Sequence, residues 1–236
     1  MAKMDRVAEL LAEVQGSTTP SGFADRLVHV GRDAMNVTGV GLSLMSGAGP
    51  SAVVAATEGS AQLIEELQFS LGEGPCVDSV KSGRPVMHGD LALTATQLWP
   101  GFTAGALDAG VRAVFAFPLQ VGAITLGALD FCRDAIGPLD DGDVQEAVAL
   151  AAAATALLLH LQMGSQPGEV PVDLAGHLVD RAVVHQASGM IAVQIEADLA
   201  DALIVLRARA FASGRPIVDV ARDVVSRNLR FTRDDL

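Results

Sequence analysis

The chain reads Gly110-Val-Arg-Ala-Val-Phe-Ala-Phe-Pro-Leu-Gln-Val-Gly-Ala-Ile-Thr-Leu-Gly-Ala-Leu-Asp-Phe-Cys132 at the point that decides its fold. Two runs rich in apolar and β-branched residues, Val111–Val121 and Ala123–Cys132, stand on either side of Gly122. Such runs around a turn-forming glycine are typical of two antiparallel strands. Helical patterns flank this pair without a strict strand-helix-strand alternation, so the sequence predicts an α+β domain with an antiparallel sheet.

Strand and helix patterns continue toward the N-terminus. A second strand pair is predicted at Val37–Met45 and Ser51–Thr57, which the turn-forming Ser46–Pro50 separates. A short strand is expected at Arg84–His88. We therefore expect a sheet that is flanked by helices. These helices are predicted at Asp5–Val14, at Pro20–Met35, at Ser60–Phe69 and from a cap at Asp140 or Asp141 to about Leu161.

A stretch rich in Gly, Ser and Pro, Met163–Pro171, separates these elements from a purely helical pattern. We place a domain boundary there, with one domain at residues 1–163, a linker at 164–171 and a second domain at 172–236. Apolar positions at helical spacing predict that the second domain is an all-α three-helix bundle. Its helices are predicted at about Val172–Ile195, at Leu199–Ser213 between a cap at Asp198 and a stop at Gly214, and at Pro216–Leu229.

Charge is distributed unevenly along the chain. The formal net charge is −12, and residues 1–168 hold 8 Lys+Arg against 18 Asp+Glu, whereas residues 169–236 hold 8 against 10. Within the second domain, residues 181–233 hold 8 Arg against 5 acids. An acidic chain is unlike a general nucleic-acid-binding protein, so any such contact is expected in this arginine-rich segment.

The N-terminus, the apolar runs and the cysteines indicate a cytoplasmic protein. Acidic residues interrupt the N-terminal apolar residues and no small-residue cleavage site follows, which is unlike a secretory signal. The most apolar run, Ala147–Leu159, is shorter than the roughly 20 residues of a membrane-spanning helix. Cys76 and Cys132 have no metal-ligand spacing, so we expect reduced thiols and neither a disulfide nor a zinc site.

Five short stretches of the first domain have a common family resemblance. They are Leu71-Gly-Glu-Gly-Pro-Cys76, Gly83-Arg-Pro85, Trp99-Pro100, Gly110-Val-Arg-Ala-Val-Phe-Ala-Phe-Pro-Leu119 and Leu126-Gly-Ala-Leu-Asp130. Together they resemble the GAF domains of actinobacterial regulators. The resemblance implies a GAF-type sensor domain that receives a small-molecule or partner signal.

Further stretches give the second domain a resemblance of its own. They are Val184-His-Gln-Ala-Ser-Gly-Met190, Ala202-Leu203, Leu206-Arg-Ala208 and Val218-Asp-Val-Ala-Arg-Asp-Val-Val225. Together they resemble the ANTAR module, and a GAF domain followed by ANTAR is a specific pairing. The resemblance implies a transcription antitermination regulator whose bundle binds an RNA hairpin and prevents a terminator from forming. RNA reading of this kind favours unpaired loop bases.

Eight residues of the second domain are the candidates for RNA contact. Arginine can grip phosphate bidentately and stack on bases, although a solvated helix face is the alternative interpretation. Ser188 stands where the family often carries Lys, so a cation is missing from the surface expected to meet phosphate, and the sequence leaves open whether RNA affinity is weakened. Gly189 costs about 1 kcal/mol relative to Ala in a helix, which indicates either close helix packing or close approach of the RNA backbone. The candidates are Arg181, His185, Gln186, Ser188, Gly189, Arg207, Arg222 and Arg227.

In the first domain, Cys76, His88 and Trp99 are candidates for ligand contact, and packing is the alternative role for each of them. The sequence specifies no nucleotide, haem or bilin ligand, so we name no cofactor. Two other functions compete with the regulator, which is not expected to be an enzyme. Cys76 and Cys132 are the only residues for a cysteine-dependent small-molecule reductase on a GAF fold. A protein-interaction regulator without RNA binding is the other alternative.

The predicted helix 140–161 also suggests how two copies of the chain would associate. Its segment Val148–Leu159 is apolar around nearly its whole circumference, which indicates burial on more than one side. We expect a homodimer through this helix. Cover by the N-terminal helices of the same chain is the alternative.

Overall fold

A five-stranded antiparallel sheet forms the centre of the computed structural model, which describes residues 2–14, 20–46, 49–163 and 179–233. The strands are β1 Gly39–Ser46, β2 Gly49–Ala56, β3 Val86–His88, β4 Ala113–Val121 and β5 Ile124–Arg133, in the order β2-β1-β5-β4-β3. The strand pair predicted around Gly122 is confirmed, since Val121 pairs with Ile124 across a tight turn in which Gly122 has φ +61°.

Helices cover both faces of this sheet. On one face lie α1 Ala2–Val14, α2 Pro20–Ala34 and α7 Asp141–Met163. On the other lie α3 Ser60–Leu71, α4 Pro75–Ser82, α5 Leu91–Thr94 and α6 Pro100–Asp108. The α+β class is confirmed, and the expected cap of α7 is Asp140, whose Oδ1 accepts from the Asp143 N–H at 2.8 Å.

Alternation along β5 decides which side chains each face receives. Leu129 and Phe131 belong to the core between the sheet and α1, α2 and α7. Asp130 and Cys132 point to the opposite face, where α3 and α4 pack. Strand β5 is therefore buried on both faces, although Asp130 stands near its centre.

Helix α7 is covered largely within its own chain. The sheet lies on one side of it and α1 and α2 lie on another, so that Leu150 is fully buried and Leu157 is 7% exposed. The N-terminal cover suggested as an alternative therefore accounts for most of the apolar circumference, and the homodimer stays a prediction. By length and composition the segment Asp141–His160 could span a membrane, but half of it is buried in the fold, and one such helix is weak evidence for a membrane span.

Three further helices form the C-terminal bundle: α8 Val179–Ile195, α9 Leu199–Ser213 and α10 Ile217–Val225. Asp198 caps α9 by accepting from the N–H groups of Ala200 and Asp201 at 2.8 and 2.9 Å, and Gly214 ends it with φ +62°. Both predicted boundaries of α9 are confirmed. The predicted linker 164–171 and the predicted start of α8 lie outside the described residues.

The last helix is shorter than the sequence predicts. It begins after Pro216 and ends at Val225 instead of Leu229, because Arg227 adopts a left-handed backbone with φ +63°. The exposed Arg227 therefore lies beyond the helix and does not continue its surface. Asp223, one turn earlier on α10, pairs with Arg215 at 2.8 Å and not with Arg227.

Candidate functional site

A group of polar side chains is buried between the sheet and α3. It consists of Ser43 on β1, Glu65 and Gln68 on α3 and Asp130 on β5, each at most 3% exposed. We call these four residues the buried carboxyl cluster. Buried carboxyl groups are costly unless they are hydrogen-bonded or protonated, so such a cluster marks a candidate site.

Strand pairing makes the space for this cluster. In the β1–β5 ladder Gly41 lies directly opposite Asp130. A Cβ atom on Gly41 would overlap the carboxylate of Glu65. The absence of a side chain at this point of β1 thus lets α3 place a carboxylate beside the sheet.

Hydrogen bonds connect the cluster to three elements. The Ser43 hydroxyl donates to Glu65. Gln68 Nε2 donates to Asp130 Oδ2 at 3.3 Å, and its Oε1 accepts from the Cys76 N–H at 2.7 Å. Gln68 therefore links the first turn of α4 to the centre of β5.

Burial raises the pKa of Asp130 well above its ordinary value, and the nearby Glu65 carboxyl raises it further. The neutral form of Asp130 is thus favoured at this depth. The Glu65 carboxyl is also within hydrogen-bonding reach of Asp130. Such an arrangement can hold a proton between the two carboxyls. Among the described residues, no group of three or more His, Cys, Asp and Glu could hold a metal ion.

Glu65, Gln68 and Asp130 are not predicted as site residues from the sequence. The sequence of α3 does contain a signal for two of them. Glu65 and Gln68 fall at helical spacing among the apolar positions 61, 64 and 69, which form the buried face of this helix. Asp130 belongs to a stretch that carries the family resemblance, but nothing in that stretch predicts that its carboxyl meets α3. Strand alternation would have placed it on the same face as Cys132.

The two cysteines are buried thiols that form no disulfide. Cys76 joins the cluster through its backbone, and its Sγ lies 3.7 Å from Met45 Sδ. Burial raises the pKa of Cys132 to about 12, and the nearby carboxyls contribute once they ionise. A thiol of this kind is a poor nucleophile at neutral pH, which is unfavourable for the reductase alternative.

His88 and Trp99 contact each other rather than the cluster. Their rings meet edge to face at 4.9 Å, and Trp99 Nε1 donates to Asp78 Oδ2 at 3.0 Å. His88 Nδ1 lies 2.8 Å from the hydroxyl of Thr94, and desolvation lowers the pKa of His88 against the opposing effect of Asp78. Trp99 is 2% exposed. These contacts are those of packing around α4 and α6.

The expected RNA-contact residues of α8 occupy two environments. His185 and Gln186 are exposed, and Gly189 is half-buried, one turn further along. Ser188 is instead 3% exposed, and its hydroxyl donates to the Val184 carbonyl at 2.9 Å. The expectation that Ser188 lies on a phosphate-facing surface is therefore corrected: its position on α8 turns it into the bundle core.

The structure distinguishes between the two explanations for Gly189, which are close helix packing and close approach of an RNA backbone. A Cβ atom at this position would meet nothing within 4 Å. Close packing within the described chain therefore does not explain why this helix carries a glycine. The open space above Gly189 leaves room for a backbone or another molecule to approach α8.

The candidate arginines are divided among several places. Arg222 is exposed and lies 2.8 Å from Asp219 in an ion pair, and Arg227 is exposed beyond the end of α10. The backbone of Arg181 lies in α8, while its side chain is outside the described residues. Arg207 contacts the first domain: its Nε and Nη2 donate to the Phe69 carbonyl at 3.1 and 2.9 Å.

An open cleft of about 660 Å³ lies beside this contact. The loop after α3, including Gly72 and Glu73, forms one wall together with the start of α6. Arg207, Ile204 and Phe211 of α9 form the other, and the two apolar side chains are 59% and 72% exposed. The first domain and the bundle therefore share an interface that leaves apolar surface uncovered.

Comparison with known proteins identifies the first domain. A family model described as GAF domain matches residues 17–158, which is more than half of the chain. The comparison with curated proteins gave no match.

Solved structures with a similar fold were found at low sequence identity. The GAF domain of an Acinetobacter phosphoenolpyruvate-protein phosphotransferase is 14% identical, with a TM-score of 0.52, over 70% of this chain and 97% of that one. The corresponding domain from Coxiella burnetii is 13% identical, with a TM-score of 0.52, over 69% and 95%. The GAF domain of the cyanobacteriochrome TePixJ is 18% identical, with a TM-score of 0.51, over 64% and 95%. At these identities the likeness concerns the fold alone.

Proposed function

The chain belongs to the GAF domain family, and from this premise we propose that it is a signal-responsive RNA-binding regulator of transcription termination. The GAF domain receives the signal, and the α8–α10 bundle, which resembles an ANTAR module, binds hairpin RNA. The protein acts in the cytoplasm as a homodimer. The carrying observation is the side of α8 on which His185 and Gln186 are exposed and the half-buried Gly189 faces open space.

The chemistry of this strip suits RNA. His185 can donate to phosphate or to base edges, and Gln186 carries both a donor and an acceptor. Glycine lets a nucleic-acid backbone approach the helix closely. The exposed guanidinium groups of Arg222 and Arg227 supply positive charge in the same bundle, which is the arginine-rich part of an otherwise acidic chain.

The buried carboxyl cluster supports a sensory role for the first domain. Its two carboxyls lie together in the interior, so the packing around them can respond to a change in their protonation. Glu65 and Gln68 lie on α3, and α3 is also the helix that contacts the bundle through Phe69. A change in the cluster would therefore act directly on this contact.

An electrophoretic mobility shift assay with the full-length protein tests the RNA function. The probes are structured fragments of total cellular RNA and a synthetic hairpin. Wild type is expected to shift both at low salt, and the double variant His185→Ala/Gln186→Ala is expected to bind at least about tenfold more weakly. Arg84→Gln is the control, because Arg84 is an exposed arginine of the sensor domain.

Salt dependence separates phosphate contacts from other roles. If Arg222 meets a phosphate, Arg222→Gln should reduce the slope of log affinity against log salt by about 0.7–0.9, and Arg84→Gln should leave it unchanged. Failure of the wild type to shift any RNA at low salt would overturn the proposal. The protein-interaction alternative would then be favoured, because Val193 and Phe211 are 80% and 72% exposed on the bundle.

A further inference from the structure

We propose that the C-terminal turn of α3 is a docking site that holds the α8–α10 bundle closed on the sensor and withholds Arg207 from RNA. The docking follows from contacts within the chain and is independent of RNA. Only its inhibitory consequence rests on the function proposed above. Three residues, Phe69, Gly72 and Arg207, form the docking contact.

The first argument is the chemistry of a helix end. The last carbonyls of a helix have no partner within it, and the helix dipole favours a cation there. Helix α3 has no basic residue in its last turn. The Gly72 N–H bonds the Gln68 carbonyl at 2.9 Å, and Arg207 donates twice to the next one, that of Phe69. The bundle thus supplies the cationic cap that α3 lacks.

Gly72 makes this approach possible. Its φ of +70° is a left-handed conformation that suits glycine at a helix end. A Cβ atom on Gly72 would also lie 2.5 Å from Arg207 Nη1. Glycine therefore suits this position in two ways: it tolerates the left-handed turn, and it leaves the space that the guanidinium occupies.

Phe69 provides the apolar half of the docking site. Its side chain is 1% exposed and belongs to the hydrophobic core of the bundle, with Val184, Ala187 and Leu206 among its members. A sensor-domain residue thus completes the core of the C-terminal helices. Separation of the two domains would expose a phenylalanine and leave a void in that core, which favours the closed arrangement.

The docking site is also connected to the buried carboxyl cluster. Gln68 immediately precedes Phe69, and Glu65 lies one turn earlier on the same helix. A helix moves as a rigid element, so a rearrangement that displaces Glu65 or Gln68 also displaces the Phe69 carbonyl. Helix α3 therefore offers a direct route from the sensor interior to the bundle.

Modification of arginines by phenylglyoxal, read by mass spectrometry of the full-length protein, tests the docking. The exposed Arg209 on the same helix is the internal reference. In the wild type Arg207 is expected to react about tenfold more slowly than Arg209, because two hydrogen bonds hold it. In Gly72→Ala this difference should largely disappear.

Gly122→Ala is the matched control, since Gly122 has a similar φ of +61° but open space around it. Circular dichroism verifies that both variants are folded. Equal reactivity of Arg207 and Arg209 in the wild type, or identical behaviour of the two glycine variants, would overturn the docking. A folded Glu65→Ala protein that leaves Arg207 protected would overturn the connection to the cluster.

RNA binding by the same variants separates this inference from the proposed function. Gly72→Ala is expected to bind hairpin RNA several-fold more tightly than Gly122→Ala, because Arg207 becomes available. If Gly72→Ala exposes Arg207 and no variant binds RNA, the docking stands and the RNA function is wrong. If RNA is bound with equal affinity by both variants although Arg207 is exposed, the inhibitory role is overturned.

Discussion

Gln68 Nε2 lies 3.3 Å from Asp130 Oδ2 and joins helix α3 to strand β5 beneath the sheet. This contact brings together residues that are 62 positions apart in the chain. It belongs to a cluster in which protonation, packing and the position of α3 depend on one another.

Asp130→Asn should change how stability depends on pH. Because the pKa of Asp130 is raised in the folded state, the folded chain keeps a proton that the unfolded chain releases above pH 4 or so. The free energy of unfolding of the wild type should therefore fall as pH rises through this window, by up to about 1.4 kcal/mol per unit from this group. Asn has no proton to lose. In urea denaturation, the free energy of unfolding of the variant relative to the wild type should be larger at pH 7.5 than at pH 5. An equal difference between the two proteins at both pH values would contradict a raised pKa of Asp130.

Gly189→Ala distinguishes a structural role of this glycine from a functional one. The added methyl meets open space in the helix, so the free energy of unfolding is expected to rise by about 1 kcal/mol. If RNA approaches this face, the same substitution should weaken RNA binding. Thermal unfolding and a mobility shift assay measure the two effects. A loss of stability would show that the space above Gly189 is occupied in the protein.

The thiols are expected to react slowly in the native protein. Cys76 and Cys132 are buried, and the pKa of Cys132 is raised to about 12, so little thiolate is present at pH 8. Labelling with a disulfide reagent should be slow in buffer and complete in 6 M or so guanidinium chloride, where burial is lost. Rapid labelling of either thiol in the folded protein would revive the reductase alternative.

The expected homodimer is best tested on the part of α7 that the chain itself leaves open. Leu159 is 36% exposed, whereas Leu157 is 7% exposed and contributes to the fold. Leu159→Glu should therefore produce a folded monomer if α7 forms the dimer interface, because an unpaired carboxylate is not readily buried there. Leu157→Glu should lower stability in either oligomeric state. Light scattering that shows a wild-type monomer at micromolar concentration would contradict the dimer.

The sequence alone determined the elements whose cause is local. The β4–β5 hairpin around Gly122, the cap at Asp198 and the stop at Gly214 were predictable because turn geometry and capping depend on neighbouring residues. The end of α10 was not, because a left-handed Arg227 carries no comparable local signal. The family resemblance of the first domain likewise rests on short stretches of sequence.

Only the tertiary structure decided which polar residues meet. Glu65 and Asp130 come together because Gly41 lies opposite Asp130 in a strand pairing that no local pattern specifies. Ser188 was expected at the surface and is buried, because the rotation of α8 within the bundle is set by its neighbours. Arg207 was expected to face RNA and instead caps α3, 138 residues away. Helical periodicity gives the faces of a helix, whereas the partner of each face is chosen by the packing of the whole chain.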